Sequence, residues 1–235
     1  MAQEQQSGFK DPTVLTLWTK WLLYFQLAIT VIAIISGSAE YQLLQDFKEG
    51  TYTSQELATA DAAANDARQG FIGILQFIIY VISGVLILKW IHRANYNARE
   101  LGASGMMFTP GWSVGWYFIP VLSLWKPYQA MKEIWQASHS PQNWNAQTVA
   151  PILQWWWAFW IISNLSSNAS FRLTLKAEGI EGALVANVIT QLSDAATIPL
   201  IIIFLPIVTR LYKAQMSNAQ SRLISSDSSM PMPGQ

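Results

Sequence analysis

The sequence predicts an all-α integral membrane protein with four transmembrane helices, arranged as two helical hairpins. Three observations lead to this class. Of the 235 residues, 51% are hydrophobic and 12% are charged, about half the charged fraction of an ordinary soluble domain. The apolar residues are concentrated in runs close to the length of about 20 helical residues that crosses a bilayer core. The basic residues are distributed unevenly among the loops between those runs.

The predicted spans cover residues 17–36, 70–92, 150–166 and 186–210, within a membrane domain of residues 15–216. Two of these spans open with tryptophans, which favour the membrane interface. The third span opens with a cluster of Trp155, Trp156, Trp157 and Trp160. This cluster predicts mainly an aromatic belt, and the alternative is a docking face for a partner helix or a flat ligand.

Both ends of the chain are polar, and we expect them to be disordered. Residues 1–14 form a polar lead, and residues 217–235 are rich in Ser, Met and Pro, a composition that buries little apolar surface. Between the first two spans, the stretch Thr53-Ser54-Gln55-Glu56 fits a capping box. This motif predicts a helix that begins there and continues into the second span.

The central segment, residues 111–137, contains an apolar stretch that is too short to cross the bilayer. As a helix, Trp112 to Trp125 extends only about 21 Å, and Pro120 interrupts it because proline lacks an amide donor. We therefore expect a re-entrant segment, in which Gly111 and Gly115 allow a close approach of neighbouring backbone. The segment is interpreted mainly as a structural plug between the hairpins. A ligand or ion site beside Pro120 is the alternative.

A helix is predicted to follow from Lys126, because Pro127 suits the first turn of a helix. Its side chains divide into two faces at helical spacing. The apolar face holds Tyr128, Met131, Ile134 and Trp135, and the polar face holds Gln129, Lys132, Glu133 and Gln136. This pattern predicts an interfacial amphipathic helix with its apolar face in the lipid.

The basic residues indicate the topology. If the central segment returns to the side from which it came, one side holds Lys10, Lys20, Lys89, Arg93, Arg99, Lys126, Lys132, Arg210, Lys213 and Arg222. The other side then holds only Lys48, Arg68, Arg172 and Lys176. This division of ten against four follows the positive-inside rule, whereas a crossing segment would give seven against seven. We expect both termini in the cytoplasm, with residues 38–69 and 166–182 outside.

Two short stretches after the first and third spans resemble each other. They are Leu44–Gly50 (LQDFKEG) and Leu173–Gly179 (LTLKAEG). A duplicated hairpin would explain the match, as in transporters with parallel repeats. Chance similarity between the ends of membrane helices is the favoured explanation, because the matching stretches are short.

The 26 residues from Pro110 to Trp135 (PGWSVGWYFIPVLSLWKPYQAMKEIW) resemble the signature of a bacterial membrane family of unknown function, domain-of-unknown-function family 4328. The resemblance implies a multipass protein of the bacterial inner (cytoplasmic) membrane. It supplies no activity, so the function has to be argued from individual residues.

The candidate binding residues have structural or ligand-binding roles. They are Trp112, Gly115, Trp116, Pro120, Trp125, Lys126, Pro127, Tyr128, Trp135 and Asp194. Asp194 lies in the last span, where an ionisable group needs a partner. Asn164, Asn168 or Arg172 could be that partner, but the favoured interpretation is an interfacial carboxylate that faces water near the outer surface. Gln26, Gln76 and Gln154 are expected to form hydrogen bonds between helices.

Several classes of function find no support in the composition. The net charge of zero gives no basic field for nucleic acid. The lack of cysteine excludes thiolate metal sites, iron–sulfur ligation and covalent haem attachment. His92 and His139 lie at a helix exit and in a polar loop, an arrangement that does not favour haem. We expect no catalytic residues, no metal and no cofactor.

The leading hypothesis is a non-enzymatic membrane protein that acts as an accessory or scaffold subunit of a membrane complex. Its partners would be membrane lipids together with a membrane protein or a second copy of the chain. The alternative is a binder or transporter of a lipid or small solute at the broken segment around Pro120.

Overall fold

The computed structural model describes residues 8–228, and it describes side chains for residues 8–225. All regular elements in that part of the chain are helical, which confirms the all-α class. The α-helices are α1 (Thr13–Glu49), α2 (Gln55–Glu100), α3 (Pro110–Gly115), α4 (Lys126–His139), α5 (Ile152–Lys176) and α6 (Gly179–Ser228). Short 3-10 turns occupy Trp116–Phe118, Leu122–Leu124 and Pro141–Ala146.

Three of the helices, α1, α2 and α6, are long and apolar enough to cross a membrane. They contain the first, second and fourth predicted spans and extend beyond them. The third predicted span lies in α5, which has 25 residues but is not among these three. Polar side chains such as Ser163, Asn164, Ser167 and Asn168 interrupt its apolar residues. The membrane class therefore rests on α1, α2 and α6.

The chain forms two compact units. Among the described residues, the first unit contains 8–20, 85–154 and 205–228, and the second contains 21–84 and 155–204. Helices α1, α2, α5 and α6 contribute residues to both. Each unit has its own buried side chains.

The interior of the first unit contains the apolar face of α4. Met131 and Ile134 have no exposed surface, and Trp135 is only 5% exposed. The prediction that this face lies in lipid is therefore wrong. Helical periodicity is the same whether an apolar face meets lipid or protein, so the sequence pattern alone does not separate the two.

Glu133 of α4 is also buried, although its sequence position places it on the polar face. Its carboxylate accepts hydrogen bonds from the backbone amides of Met107 and Phe108, the latter at 3.0 Å. From α2, Arg99 donates to the carbonyl oxygens of Met106 (3.0 Å) and Phe108 (2.8 Å). Side chains of two helices thus hold the chain that leads into the central segment.

Polar side chains also hold the two ends of the described chain. Asn97 exchanges two hydrogen bonds with the backbone of Lys10, at 3.1 and 2.8 Å. In α6, Asn218 donates to the carbonyl of Ser138, and Arg222 donates to that of Glu100, both at 2.8 Å. These contacts explain why α6 is helical to Ser228, whereas the sequence predicts disorder from residue 217. Residues 1–7 and 229–235, also predicted to be disordered, lie outside the described residues.

In the second unit, α5 and α6 are joined by a ladder of hydroxyl groups. The ladder consists of Ser163–Thr197 (3.1 Å), Ser167–Ser193 (3.0 Å) and Ser170–Thr190 (2.7 Å). As the chain advances along α5 it retreats along α6, so the two helices pair antiparallel in one register. Such pairs satisfy polar groups between apolar helices.

A polar cluster in the same unit joins α1, α2 and α6 around Glu40. Its carboxylate accepts hydrogen bonds from the side-chain amides of Asn65 (3.3 Å), Gln69 (3.1 Å) and Asn187 (2.7 Å). Arg68 donates to Ser36 (3.0 Å) and Asn65 (2.6 Å) beside it. The cluster holds three helices in a fixed relation.

The two hairpins of the second unit each use a glycine with positive φ. Gly50 follows α1 with φ 69°, and Gly179 opens α6 with φ 64°, a region that favours glycine. These are the last residues of the two matching stretches in the sequence. The predicted capping box is shifted by one residue, since the Ser54 hydroxyl accepts from the amide of Leu57 at 3.4 Å and α2 begins at Gln55.

Replacement of Glu133 by alanine should destabilise the first unit, because it leaves the Met107 and Phe108 amides without their acceptor. A buried unpaired donor costs about 1–3 kcal/mol. Glu133→Gln keeps one acceptor oxygen and should have a smaller effect. We expect the apparent melting temperature in detergent to be highest for the parent, lower for Glu133→Gln and lowest for Glu133→Ala.

Lys132→Ala is the matched control on the exposed face of the same helix, and it should melt within error of the parent. Equal melting temperatures for the parent and Glu133→Ala would contradict this account of the loop.

Candidate functional site

The backbone of the central segment begins as a helix and then breaks. The Thr109 hydroxyl caps α3 by accepting from the amide of Trp112 at 3.3 Å. Beyond the first 3-10 turn, Val121 takes φ 68° and ψ −53°, next to Pro120. A β-branched residue with positive φ is strained by about 1–3 kcal/mol. The break predicted at Pro120 therefore coincides with a strained residue.

The side chains of the segment contact one another. The rings of Trp112 and Trp116 lie 4.7 Å apart. The Lys126 ammonium lies over the rings of Phe108 (5.7 Å) and Trp116 (5.9 Å), within the range of cation–π attraction. A Cβ on Gly115 would meet the Trp112 ring at 3.1 Å, so the close neighbour of Gly115 is this ring and not the neighbouring backbone that the sequence predicts.

The other predicted site residues of this segment do not converge on one point. Pro120 is exposed, Trp125 is 41% exposed, and Tyr128 is half-buried. Pro127 is buried in the first turn of α4, and Trp135 is buried against the ring of His139 at 4.3 Å. We assign these side chains structural roles.

An apolar tip projects from the segment. It consists of Trp112, Phe118, Val121, Leu124 and Trp125, which are between 41% and 70% exposed. Apolar side chains that point outward around a strained break do not form a binding site by themselves. Such an arrangement is typical of a surface that meets lipid or protein.

Asp194, the remaining predicted site residue, lies in the second unit and faces a cavity of about 540 Å³. Small-molecule sites have volumes of about 300–1,000 Å³. The lining residues come from α1, α2, α5 and α6: Gln26, Ile29, Thr30, Gln76, Phe77, Tyr80, Trp160, Ser163, Asn164, Ser167, Asn168, Phe171, Ser193, Asp194, Thr197 and Leu200. The cavity therefore lies among all four helices of this unit.

The Asp194 carboxylate accepts one long hydrogen bond, from Gln76 at 3.5 Å. Of the partners predicted for it, Asn164 and Asn168 line the same cavity, but their amides donate to carbonyls of their own helix at 2.7 and 2.8 Å. Arg172 is exposed and does not line the cavity. Gln76 makes the contact between helices that the sequence predicts.

The cavity is polar and aromatic, and its only ionisable side chain apart from the phenol of Tyr80 is an acid. Among the described residues, no lysine, arginine or histidine lines it. Tyr80 and Trp160 contribute aromatic rings, and hydroxyl groups of the α5–α6 ladder contribute oxygens. This combination of a carboxylate, oxygens and aromatic rings suits a cation.

The tryptophan cluster of α5 divides among three environments. Trp156 is 3% exposed and stacks on Phe204 at 5.5 Å. Trp160 lines the cavity and stacks on Trp157 at 4.4 Å, and Trp155 is 63% exposed. The exposure of Trp155 is what an aromatic belt requires, whereas Trp156 is buried in the protein.

The hydroxyl residues that line the cavity, including Ser163, Ser167 and Thr197, were not predicted as site residues from the sequence. Their spacing was a usable signal. On both α5 and α6, small hydroxyl residues recur every three or four positions, which places them on one face of a helix.

A family model described as a domain of unknown function (DUF4328) matches residues 53–213. The match includes the signature Pro110–Trp135 and the residues of the cavity that belong to α2, α5 and α6. No curated protein and no solved structure matches the chain.

Proposed function

We propose a function from the geometry of the second unit, because the chain belongs to the family described as a domain of unknown function (DUF4328). That description states no activity. The protein is a non-enzymatic multipass membrane protein that binds a small cationic solute in the cavity around Asp194. The observation that carries this proposal is a carboxylate that shares a cavity with aromatic rings and, among the described residues, with no basic side chain.

Two physical terms favour a cation in this cavity. The Asp194 carboxylate accepts a single hydrogen bond from the described residues, so it retains acceptor capacity for an ammonium group. The rings of Tyr80 and Trp160 attract a cation through their π electrons, more strongly where water is excluded. An anionic solute would meet the carboxylate without a compensating positive charge.

This proposal moves the solute site from the region of Pro120 to Asp194. In the central segment, Trp116 is engaged by Trp112 and Lys126, and Pro120 is exposed. Solute binding is compatible with assembly onto a membrane-protein partner or a second copy of the chain, and the accessory-subunit hypothesis stays a prediction.

We also propose four spans, with α5 as the third, in the inner membrane of a bacterium. At about 1.5 Å per residue, the 25 residues of α5 extend about 37 Å, enough to cross the hydrocarbon core. The hydroxyl ladder aligns α5 antiparallel to α6, which is apolar enough to cross. Both termini are cytoplasmic in this arrangement, in keeping with the ten against four basic residues.

The central segment enters the membrane from the cytoplasmic side without crossing it. The apolar tip supports this placement because its side chains face outward, and Lys126 at its base suits the headgroup region. The buried α4 then lies inside the first unit and not along the lipid surface.

Asp194→Asn should weaken binding of a small organic cation, for which we choose radiolabelled benzylamine, a primary ammonium ion at neutral pH that can donate to the carboxylate. Loss of a charge-assisted contact of about 1.5–3 kcal/mol corresponds to a decrease in affinity of at least about tenfold. Asp194→Glu keeps the charge and should retain part of the affinity. Saturation binding to the purified protein in detergent measures all of these variants.

Glu181→Gln is the matched control, since Glu181 is an exposed acid of the same helix that pairs with Lys48 at 2.7 Å, outside the cavity. It should bind benzylamine like the parent. The proposal fails if the parent shows no saturable binding, or if Asp194→Asn binds as tightly as the parent.

The topology can be read with single cysteines, because the chain contains none. Ser54, Gln142 and Ser225 are exposed and suit this purpose. In intact cells an impermeant thiol reagent should label Ser54→Cys only, and the other two should react after the cells are permeabilised. Labelling of Gln142→Cys or Ser225→Cys in intact cells would overturn the four-span arrangement.

A further inference from the structure

A second cavity lies in the first unit, between the start of α1 and the middle of α2. Its volume is about 770 Å³. The residues that line it include Asp11, Val14, Trp18, Val85, Lys89 and Arg93. This groove plays no part in the solute site proposed above.

The groove changes from apolar to charged along the helices. On α2, the apolar residue Val85 precedes the basic residues Lys89 and Arg93 by about one and two turns, and Leu88 comes directly before Lys89. Asp11 precedes the first residue of α1, and the apolar Val14 and Trp18 follow on the helix. The order is opposite on the two helices, as expected for antiparallel neighbours.

The hydrogen bond from the Trp90 indole to the Thr16 hydroxyl, at 3.2 Å, fixes the register of the two helices. In this register Asp11 lies at the level of the basic end of α2, and Trp18 lies at the level of Leu88. The groove is therefore charged at the end that holds Asp11 and Arg93 and apolar toward Val85, and Lys89 lies between the two.

The walls of the groove are open to the surroundings. Val14 is 68% exposed, Trp18 is 58% exposed and Val85 is 49% exposed. The structure shows no hydrogen bond and no ion pair for the side chains of Lys89, His92 and Arg93 within the part of the chain that it describes. Apolar walls beside unpaired cations match a molecule with a hydrocarbon tail and a phosphate.

The groove also contains one acid. Asp11 accepts hydrogen bonds from the amide (2.8 Å) and the hydroxyl (2.5 Å) of Thr13 through one oxygen, Oδ1. These bonds hold the pKa of Asp11 below its usual value, so the carboxylate stays charged. Its second oxygen keeps its acceptor capacity. An acid beside unpaired cations favours a headgroup that carries both signs of charge.

We infer that this groove binds phosphatidylethanolamine, a phospholipid whose headgroup carries a phosphate and a primary ammonium. The phosphate pairs with Lys89 and Arg93, the ammonium donates to Asp11, and the acyl chains lie along Val14, Trp18 and Val85. Phosphatidylcholine lacks ammonium hydrogens, and phosphatidylglycerol lacks the positive charge. Each of these lipids can therefore pair with Lys89 and Arg93 but offers no ammonium donor to Asp11.

Native mass spectrometry of the full-length protein, with the three lipids at equal concentration and with identical acyl chains, tests this inference. The parent should retain phosphatidylethanolamine in preference to either of the other lipids, by about fivefold or more. Asp11→Asn should remove its preference over phosphatidylcholine. Asparagine keeps the side-chain oxygen that accepts from Thr13, so the start of α1 is preserved.

The double variant Lys89→Gln with Arg93→Gln should lower the retention of all three lipids. Lys132→Gln, a lysine on the exposed face of α4 outside the groove, is the control and should behave like the parent. Stronger retention of phosphatidylglycerol by the parent would overturn the inference, since it would mean that the basic residues act alone. Equal retention of phosphatidylethanolamine and phosphatidylcholine by the parent would overturn it as well.

Discussion

The second unit depends on one constraint, which is that polar side chains between apolar helices must bond to one another because lipid offers no partner. Glu40 lies just beyond the first span, and three side-chain amides from α2 and α6 donate to its carboxylate. The hydroxyl ladder meets this constraint between α5 and α6. Asp194 does not meet it to the same degree, because its one partner, Gln76, lies at 3.5 Å.

This contrast between two acids of the same unit supports the assignment of function to Asp194. A carboxylate that accepts three hydrogen bonds holds neighbouring helices together. A carboxylate that accepts one long hydrogen bond beside a cavity can still accept hydrogen bonds from a ligand. Removal of the Glu40 charge is therefore expected to affect stability, and removal of the Asp194 charge is expected to affect ligand binding. Glu40 holds α1, α2 and α6 together, and Asp194 can be changed without loss of a strong contact.

The first unit uses buried polar groups for a different purpose. Arg99 and Glu133 hold the backbone at residues 106–108 from two helices, and Lys126 lies over the rings of Phe108 and Trp116. The chain therefore enters the central segment in a fixed direction. Several residues of the signature Pro110–Trp135 contribute to this arrangement, which gives the motif a structural role whatever its activity.

Much of the fold followed from the sequence because apolar runs and helix start signals act locally. The runs predicted α1, α2 and α6, and the Thr53–Glu56 stretch predicted the start of α2 to within one residue. The environment of α4 could not be predicted from the sequence, because an apolar face at helical spacing can contact either lipid or protein. The burial of Glu133 depends on backbone amides 25 and 26 residues away in the chain. Likewise, Asp194 was recognisable as an unusual residue, but its cavity requires side chains from four helices.

The measurement that tests the central claim most directly is the modification of a cavity cysteine by thiol reagents of opposite charge. Asn164 lines the cavity, and its neighbour Leu165 is 63% exposed on another face of α5. In lipid nanodiscs, a trimethylammonium methanethiosulfonate should modify Asn164→Cys about tenfold faster than the sulfonate analogue, after correction for their rates with a free thiol. Asp194→Asn should abolish this preference, and Leu165→Cys should show none. Equal corrected rates at Asn164→Cys, or a preference that survives Asp194→Asn, would contradict the cation site.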